Sequence, residues 1–245
     1  MSQGSDVTAA ILVIGDEILS GRTKDKNIGT IAEMLTEIGV DLREVRIVPD
    51  ERAEIVAAVN ALRARYTYVF TSGGIGPTHD DITADSIAEA FGVGIDVDPR
   101  ARAMLLERHR PEDLNEARLR MARIPDGAEL IANPISKAPG FRLGNVHVMA
   151  GVPQILQAML DEIRPTLTGN APVISETIEA GAIPEGDFAG ALTGIAAAHP
   201  AVSIGSYPSM TPEGFRNRIV VRGRDREAVA AARAAIEQLL GGLRP

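Results

Sequence analysis

Five carboxylates fall where an apolar run gives way to glycine or proline. Asp16 and Glu17 follow Gly15, Asp50 follows Pro49, and Asp80 and Asp81 close the stretch TSGGIGPTHDD (Thr71–Asp81). Uncompensated like charges repel, so acids gathered at one rim point to a divalent cation or to a carboxyl with a raised pKa. Ligands made only of oxygen suit Mg2+ or Mn2+. In the same stretch Gly73, Gly74 and Gly76 let the backbone approach a bulky anion, and successive N–H groups there can form a nest. Ser72 and Thr78 would add hydroxyl donors. Two readings of this loop stand side by side, a strand-to-helix turn and a phosphate cradle. It is neither GxGxxG nor a P-loop, because no Lys-Ser/Thr pair follows the glycines. Asp50 and Asp81 also precede helical patterns, where Asp is a favoured N-cap. Lys137 is either a surface lysine or a phosphate contact. The four histidines, at 79, 109, 147 and 199, lack the close pairing of a zinc site. His147 alternates within a strand and reads as structural. No nucleophile elbow supports a Ser/His/Asp triad.

These residues need elements to position them. Apolar runs at Ala9–Gly15, Val40–Val48, Tyr66–Phe70 and Asn145–Gly151 alternate with helical patterns, among them Ile28-Ile31-Leu35-Ile38, Ile55-Val59-Leu62 and Pro153–Ile163. Such alternation predicts a mostly parallel sheet covered on both faces. Ligands of open parallel sheets bind outside the carboxyl ends of the strands. The four exits carry Gly15-Asp16-Glu17, Pro49-Asp50, Ser72-Gly73-Gly74 and Gly151-Val152-Pro153, so glycine and carboxylates converge on one rim. The Arg-rich segment Asp98–Arg123 reads as solvated amphipathic helices broken at Pro111. TGNAPV (Thr168–Val173) marks a break. Beyond it, strand Val173–Glu179, helix Glu185–Ala198, strands Ala201–Tyr207 and Arg216–Arg222 and helix Asp225–Leu240 predict a small α+β domain of βαββα order. The expected domains are therefore 1–168 and 172–245.

With 33 acidic against 25 basic residues, a net charge of −8 argues against a non-specific nucleic-acid surface. The absence of cysteine excludes disulfides, thiolate catalysis and Cys-bound metals. No apolar run approaches the ~20 residues of a membrane span. The opening MSQGSDV lacks the pattern of a signal peptide, so a cytoplasmic location is expected.

GDEILSGRTKDKN, VPDERAEI, TSGGIGPTHDDIT, NPISKAPGF and GVPQIL follow one another over Ile11–Leu156. In this order they resemble the molybdenum-cofactor-biosynthesis (molybdopterin-binding) domain family, most closely the N-terminal part of competence/damage-inducible protein A (CinA). The resemblance implies a three-layer α/β domain with Asp50 and Asp81 as paired acids of the active site. It matches Ser72, Gly73, Gly74 and Gly76 to the loop holding a nucleotide or pterin phosphate, and it favours a homo-oligomer. Ile75 stands where molybdopterin adenylyltransferases carry Thr. Ser136 and Lys137 stand where Gly and a small residue are usual. Residues 172–240 resemble the small domain that follows in CinA-like proteins; the deamidase domain of longer members is not matched.

The expected function is a hydrolase, a metal-dependent nucleotide pyrophosphatase acting on ADP-ribose or a related dinucleotide with Mg2+, Mn2+ or Co2+. In it, Asp50 and Asp81 hold the cation and orient water. Asp16 and Glu17 are further metal candidates, Asp80 and Lys137 support the site, and Thr78, Gly151 and Pro153 join the phosphate-binding set. The alternatives are a molybdopterin adenylyltransferase, disfavoured by Ile75, and a nucleotide- or pterin-binding module without turnover.

Overall fold

The computed structural model describes residues 7–212 and 214–243. The opening MSQGSD, on which the expectation about a signal peptide largely rests, lies outside them. The chain divides into two compact units, Met1–Asn170 and Ala171–Pro245.

The first unit runs β1 (Thr8–Ile14), α1 (Asp16–Leu19), α2 (Asn27–Glu37), β2 (Asp41–Val48), α3 (Arg52–Arg65), β3 (Tyr68–Ser72) and α4 (Thr83–Phe91). It continues with β4 (Ile95–Val97), α5 (Pro99–Leu106), α6 (Glu116–Arg120), β5 (Arg123–Pro125), β6 (Glu129–Ile131), β7 (Gly140–Leu143), β8 (Val146–Met149) and α7 (Pro153–Ile163). Six strands form one sheet in the order β2-β1-β3-β8-β7-β6. The first four are parallel, while β7 runs antiparallel to both its neighbours.

β1 explains why a continuous apolar run becomes a central strand. Its side chains alternate between two buried faces: Leu12 and Ile14 pack with Ile55, Val59 and Leu62 of α3, and Ile11 and Val13 with Ile31, Leu35 and α7 residues such as Leu156. A strand covered on both faces has no solvent side on which to alternate. The result is the expected three-layer, mostly parallel α/β arrangement.

Between α4 and β8 the sequence reading is incomplete. Pro111 does interrupt the helices, opening a short 3-10 turn between α5 and α6. The strands β4–β7 were not foreseen, because runs of three or four residues are too short to display a period. NPISKAPGF connects β6 to β7.

The second unit contains β9 (Ile174–Gly181), α8 (Glu185–Ala198), β10 (Ser203–Thr211), β11 (Gly214–Gly223) and α9 (Arg226–Leu243). Its antiparallel sheet has the order β10-β11-β9. Ile178, Ile219 and Val221 pack against Phe188 of α8 and Ile236 of α9. This is the expected βαββα domain.

Candidate functional site

The parallel register places the exits of β2, β1, β3 and β8 side by side on one edge of the sheet. Gly15 N–H donates to the Val48 carbonyl at 3.2 Å, tying the first exit to the second. One residue later, Asp16 N–H donates to Asp50 Oδ2 at 3.0 Å. Asp50 is not a helix cap: α3 is capped at Glu51 without a side-chain bond. Partial burial raises its pKa above the ordinary carboxylate value, and the charges of Asp16, Glu17 and Asp80 push the same way, opposed by the Asp16 N–H bond. A carboxyl shifted upward by desolvation and like charges is characteristic of functional sites.

This shift has a stability consequence. A raised folded-state pKa means that the ionised carboxylate burdens the fold at neutral pH. That burden disappears as pH falls through the raised value to the unfolded one. Asp50→Asn keeps an acceptor for Asp16 N–H and loses the charge. It is expected to raise the melting temperature at pH 7 by about 1–3 °C, with the gain vanishing below pH 4. An equal gain at both pH values would refute charge burial as the cause.

The glycine loop leaves β3 through backbone that side chains rarely adopt, with φ of 109° at Gly73 and 68° at Gly74. Gly73 N–H donates to the Met149 carbonyl at 3.2 Å. Thr83 Oγ1 donates to the Gly73 carbonyl and Thr83 N–H to the Gly74 carbonyl, both at 3.0 Å. The start of α4 therefore holds the loop from behind. Asp81 does not cap α4 either; its Oδ2 accepts from Thr78 N–H at 2.8 Å and Thr78 Oγ1 at 2.6 Å. It braces the turn while facing the site.

In front of the loop lies an open cavity of about 450 Å3 lined by Glu17, Gly73–Gly76, Asp81, Met121, Asn133 and Gly151. A smaller hollow of about 70 Å3 shares Glu17, Gly73 and Gly151 with it and is bounded on α2 by Asn27. Pro153, at the start of α7, lines this hollow. Asn27 is 4% exposed, and its Nδ2 donates to both Ser72 Oγ and the Gly151 carbonyl at 2.7 Å. Both hydroxyls expected to meet a ligand, those of Ser72 and Thr78, thus take part in bonds within the protein.

The remaining candidates are more peripheral. Lys137, at φ 64°, forms an ion pair with Glu107 at 2.7 Å. Asp80 is exposed, 3.9 Å from the His79 imidazole. Ser136 lines the large cavity, its backbone N–H donating to Asn133 Oδ1 at 3.1 Å. Ile75 packs against both cores of the first unit. Arg120 was missed by the sequence reading, which placed it among solvated helices. Its Nη2 donates to the Asp81 carbonyl at 3.3 Å, behind the glycine loop and near the Arg123–Asp85 pair. Asn27 and Asn133 were also missed. No local signal distinguishes any of the three.

Among the described residues, no group of three or more His, Asp or Glu side chains is assembled to hold a metal ion. Nor is any helix of these residues long and apolar enough to cross a membrane.

An open α/β sheet with a cavity at its carboxyl edge defines a class of domains that receive small molecules there. This chain belongs to the molybdopterin-binding domain family: the family described as "Probable molybdopterin binding domain" matches residues 10–169. Residues 172–243 match "FAD synthase, middle domain". A "Probable FAD synthase" of Caenorhabditis briggsae is 30% identical over 99% of this chain and 51% of its own length. A "CinA-like protein" of Desulfosudis oleivorans is 34% identical over 80% of this chain and 51% of its own. The chain thus spans about half the length of these relatives. The crystal structure of CinA from Thermoplasma acidophilum, of unknown function, superposes with a TM-score of 0.63 at 34% identity, covering 66% of this chain and 99% of that one.

These findings correct the expected function. A hydrolase, and specifically an ADP-ribose pyrophosphatase, finds no support among the relatives. Two Caenorhabditis relatives that match along nearly the whole chain are named "Probable FAD synthase", a nucleotidyltransferase, and the second unit matches a domain of that enzyme. Asp50 and Asp81 each take part in a bond within the protein: Asp50 accepts the Asp16 N–H of the neighbouring exit, and Asp81 closes its own turn.

Proposed function

We propose that this chain is a nucleotidyltransferase of the FAD-synthase class, whose N-terminal unit holds the nucleotide phosphates on the Gly73–Gly76 loop. The observation that carries this reading is the meeting of two hollows at Gly73, beside the half-buried glycine loop. A ligand with phosphates in the middle and a bulky group at each end suits that shape. The relatives named FAD synthase support the same chemistry. In making FAD, a phosphate oxygen of flavin mononucleotide forms a bond to the α-phosphorus of ATP. The bond from that phosphorus to the bridging oxygen breaks, and pyrophosphate leaves.

Each part of the site has a role in this scheme. The N–H groups of Gly74, Ile75 and Gly76 would take up phosphate charge, as preorganised donors do for charge that develops in a transition state, while the Gly73 N–H anchors the loop to Met149. Arg120 would steady the loop through the Asp81 carbonyl. Asp50 and Glu17 would hold a divalent cation together with phosphate oxygens, the usual arrangement for Mg2+, and that ion would offset phosphate charge. Mn2+ and Co2+ are the other candidates.

Incubation of the purified chain with flavin mononucleotide, ATP and each cation is expected to yield FAD and pyrophosphate. Arg120→Ala should slow the reaction by about 10–100-fold. No FAD with any of the three cations would overturn the proposal.

A further inference from the structure

The turn that carries Asn133 and Ser136 to the large cavity is pinned from both sides. Asn133, 1% exposed, spends its whole amide on it. Its Oδ1 accepts from the Ile135 and Ser136 N–H groups, both at 3.1 Å. Its Nδ2 donates to the Ala138 carbonyl at 2.9 Å and to Ser136 Oγ. Lys137 follows with a φ of 64°, the one non-glycine residue in the left-handed region among those described. Backbone held in such a conformation carries strain, and strain of this kind gathers at ligand clamps. From the far side, Arg108 donates to the Ile135 carbonyl and Glu107 pairs with Lys137 at 2.7 Å.

These bonds leave Ser136 one group to place. The Ala138 carbonyl can only accept, so the Asn133 atom beside it is the NH2 group, and Ser136 Oγ accepts from it. The same oxygen accepts from Ala138 N–H at 3.4 Å. With both lone pairs engaged, the hydroxyl can only donate. No described residue receives that hydrogen. Ser136 is half-buried and lines the cavity, so a ligand there meets a donor already set in place.

The rest of the lining selects the part of the ligand. Ile75, Met121, Val152 and Ile155 make an apolar wall, with Val152 55% exposed just ahead of α7. Among the described residues no Lys or Arg lines this cavity, and its charged side chains, Glu17 and Asp81, are acids. Away from the loop N–H groups such a space disfavours phosphate and favours a flat, neutral ring with acceptors on its edge. At about 450 Å3 it falls within the ~300–1,000 Å3 of small-molecule sites. The three fused rings of a flavin fill it better than the two of adenine.

We infer that the large cavity seats the flavin ring, and that Ser136, turned by Asn133, donates its hydroxyl hydrogen to an acceptor on the ring edge. This rests on the reading of the chain as a nucleotidyltransferase of the FAD-synthase class with phosphates on the Gly73–Gly76 loop. Ser136 is then a residue of flavin specificity and takes no part in the transfer at phosphorus.

Fluorescence titration of riboflavin, which has the ring and no phosphate, tests the seat apart from the loop. Calorimetric titration of inorganic pyrophosphate with Mg2+ tests the loop apart from the seat. The unaltered protein is expected to bind both. Ser136→Ala should weaken riboflavin binding about 5–50-fold, because the ring acceptor loses its donor, and should leave pyrophosphate bound as before. Riboflavin held equally by Ser136→Ala and the unaltered protein overturns the inference. So does displacement of riboflavin by adenosine, or riboflavin failing to bind where pyrophosphate does, and in these cases the phosphate loop stands. Failure of both ligands to bind the unaltered protein overturns the loop and the seat together. Should Ser136→Ala not fold, Ser136→Cys, whose thiol is a weak donor, gives the same comparison.

Discussion

Gly73→Ala is expected to cost the N-terminal unit about 3 kcal/mol or more and to abolish nucleotide binding. Two independent penalties meet at this position. Its φ of 109° is strained for any residue with a Cβ, and a Cβ built there would lie 2.2 Å from the Ile14 carbonyl oxygen. That oxygen belongs to the central strand β1 and cannot swing aside as a side chain could. Relief would have to come from the loop, which is held by Met149 on one side and Thr83 on the other. Two controls separate the causes. Gly92→Ala shares the positive φ but meets nothing within 4 Å, so it should cost only ~1–2 kcal/mol and leave binding intact. Gly76→Ala places its Cβ 2.6 Å from Asp81 Oδ2, a movable carboxylate, and should impair binding more than stability. Denaturant unfolding of the three variants, with nucleotide titration, gives the ranking. A Gly73→Ala protein as stable as Gly92→Ala would show that the loop can relax.

Acidification should destabilise the N-terminal unit well before its carboxylates are protonated, through His147. This side chain is 2% exposed in β8 and stacks on Phe70 at 5.0 Å between ring centres. Burial pushes its pKa down to about 4, and the Arg142 guanidinium, from the residue opposite it on β7, adds to the shift. In the unfolded chain the same imidazole takes a proton near pH 6.5. Between pH 6.5 and 4 the unfolded state therefore binds the proton that the fold refuses. Stability is full above pH 6.5, falls as pH drops to about 4, and levels off from this source below that. A gap of this size corresponds to a loss on the order of 3 kcal/mol. His147→Leu removes the titrating group at similar volume and should flatten melting temperature across that window. If the variant and the natural protein lose stability in parallel from pH 6.5 to 4, His147 is not the cause. The residue thus has a structural role, as its alternation within the strand suggested.

Much of the fold was legible because its central strands are buried on both faces. β1, β3 and β8 stand out as apolar runs ended by glycine-bearing exits, while the edge strand β2 alternates before Pro49-Asp50; parallel connections oblige the four exits to share one edge. The rim carrying Asp16, Asp50, Gly73 and Gly151 therefore follows from local pattern plus topology. The short antiparallel strands do not. β4 pairs with β5 across about thirty residues, Ile95 opposite Pro125, and neither is long enough to show a period.

The roles within the rim were likewise beyond the sequence. An aspartate ahead of a helix looks the same whether it caps that helix, braces a turn or faces a ligand. The register of β1 against β2 decided for Asp50, by bringing the Asp16 N–H to its carboxylate. Asn27 closes GDEILSGRTKDKN with nothing in the sequence to mark it. Its role rests on partners 45 and 124 residues away, Ser72 and Gly151. The sequence by itself determined which residue types reach the carboxyl edge, since that depends on burial and handedness, both expressed locally. Only the tertiary structure decided which polar atoms there are satisfied within the protein and which are not. Hydrogen-bond partners are chosen by packing across the sheet, and proximity along the chain does not encode them.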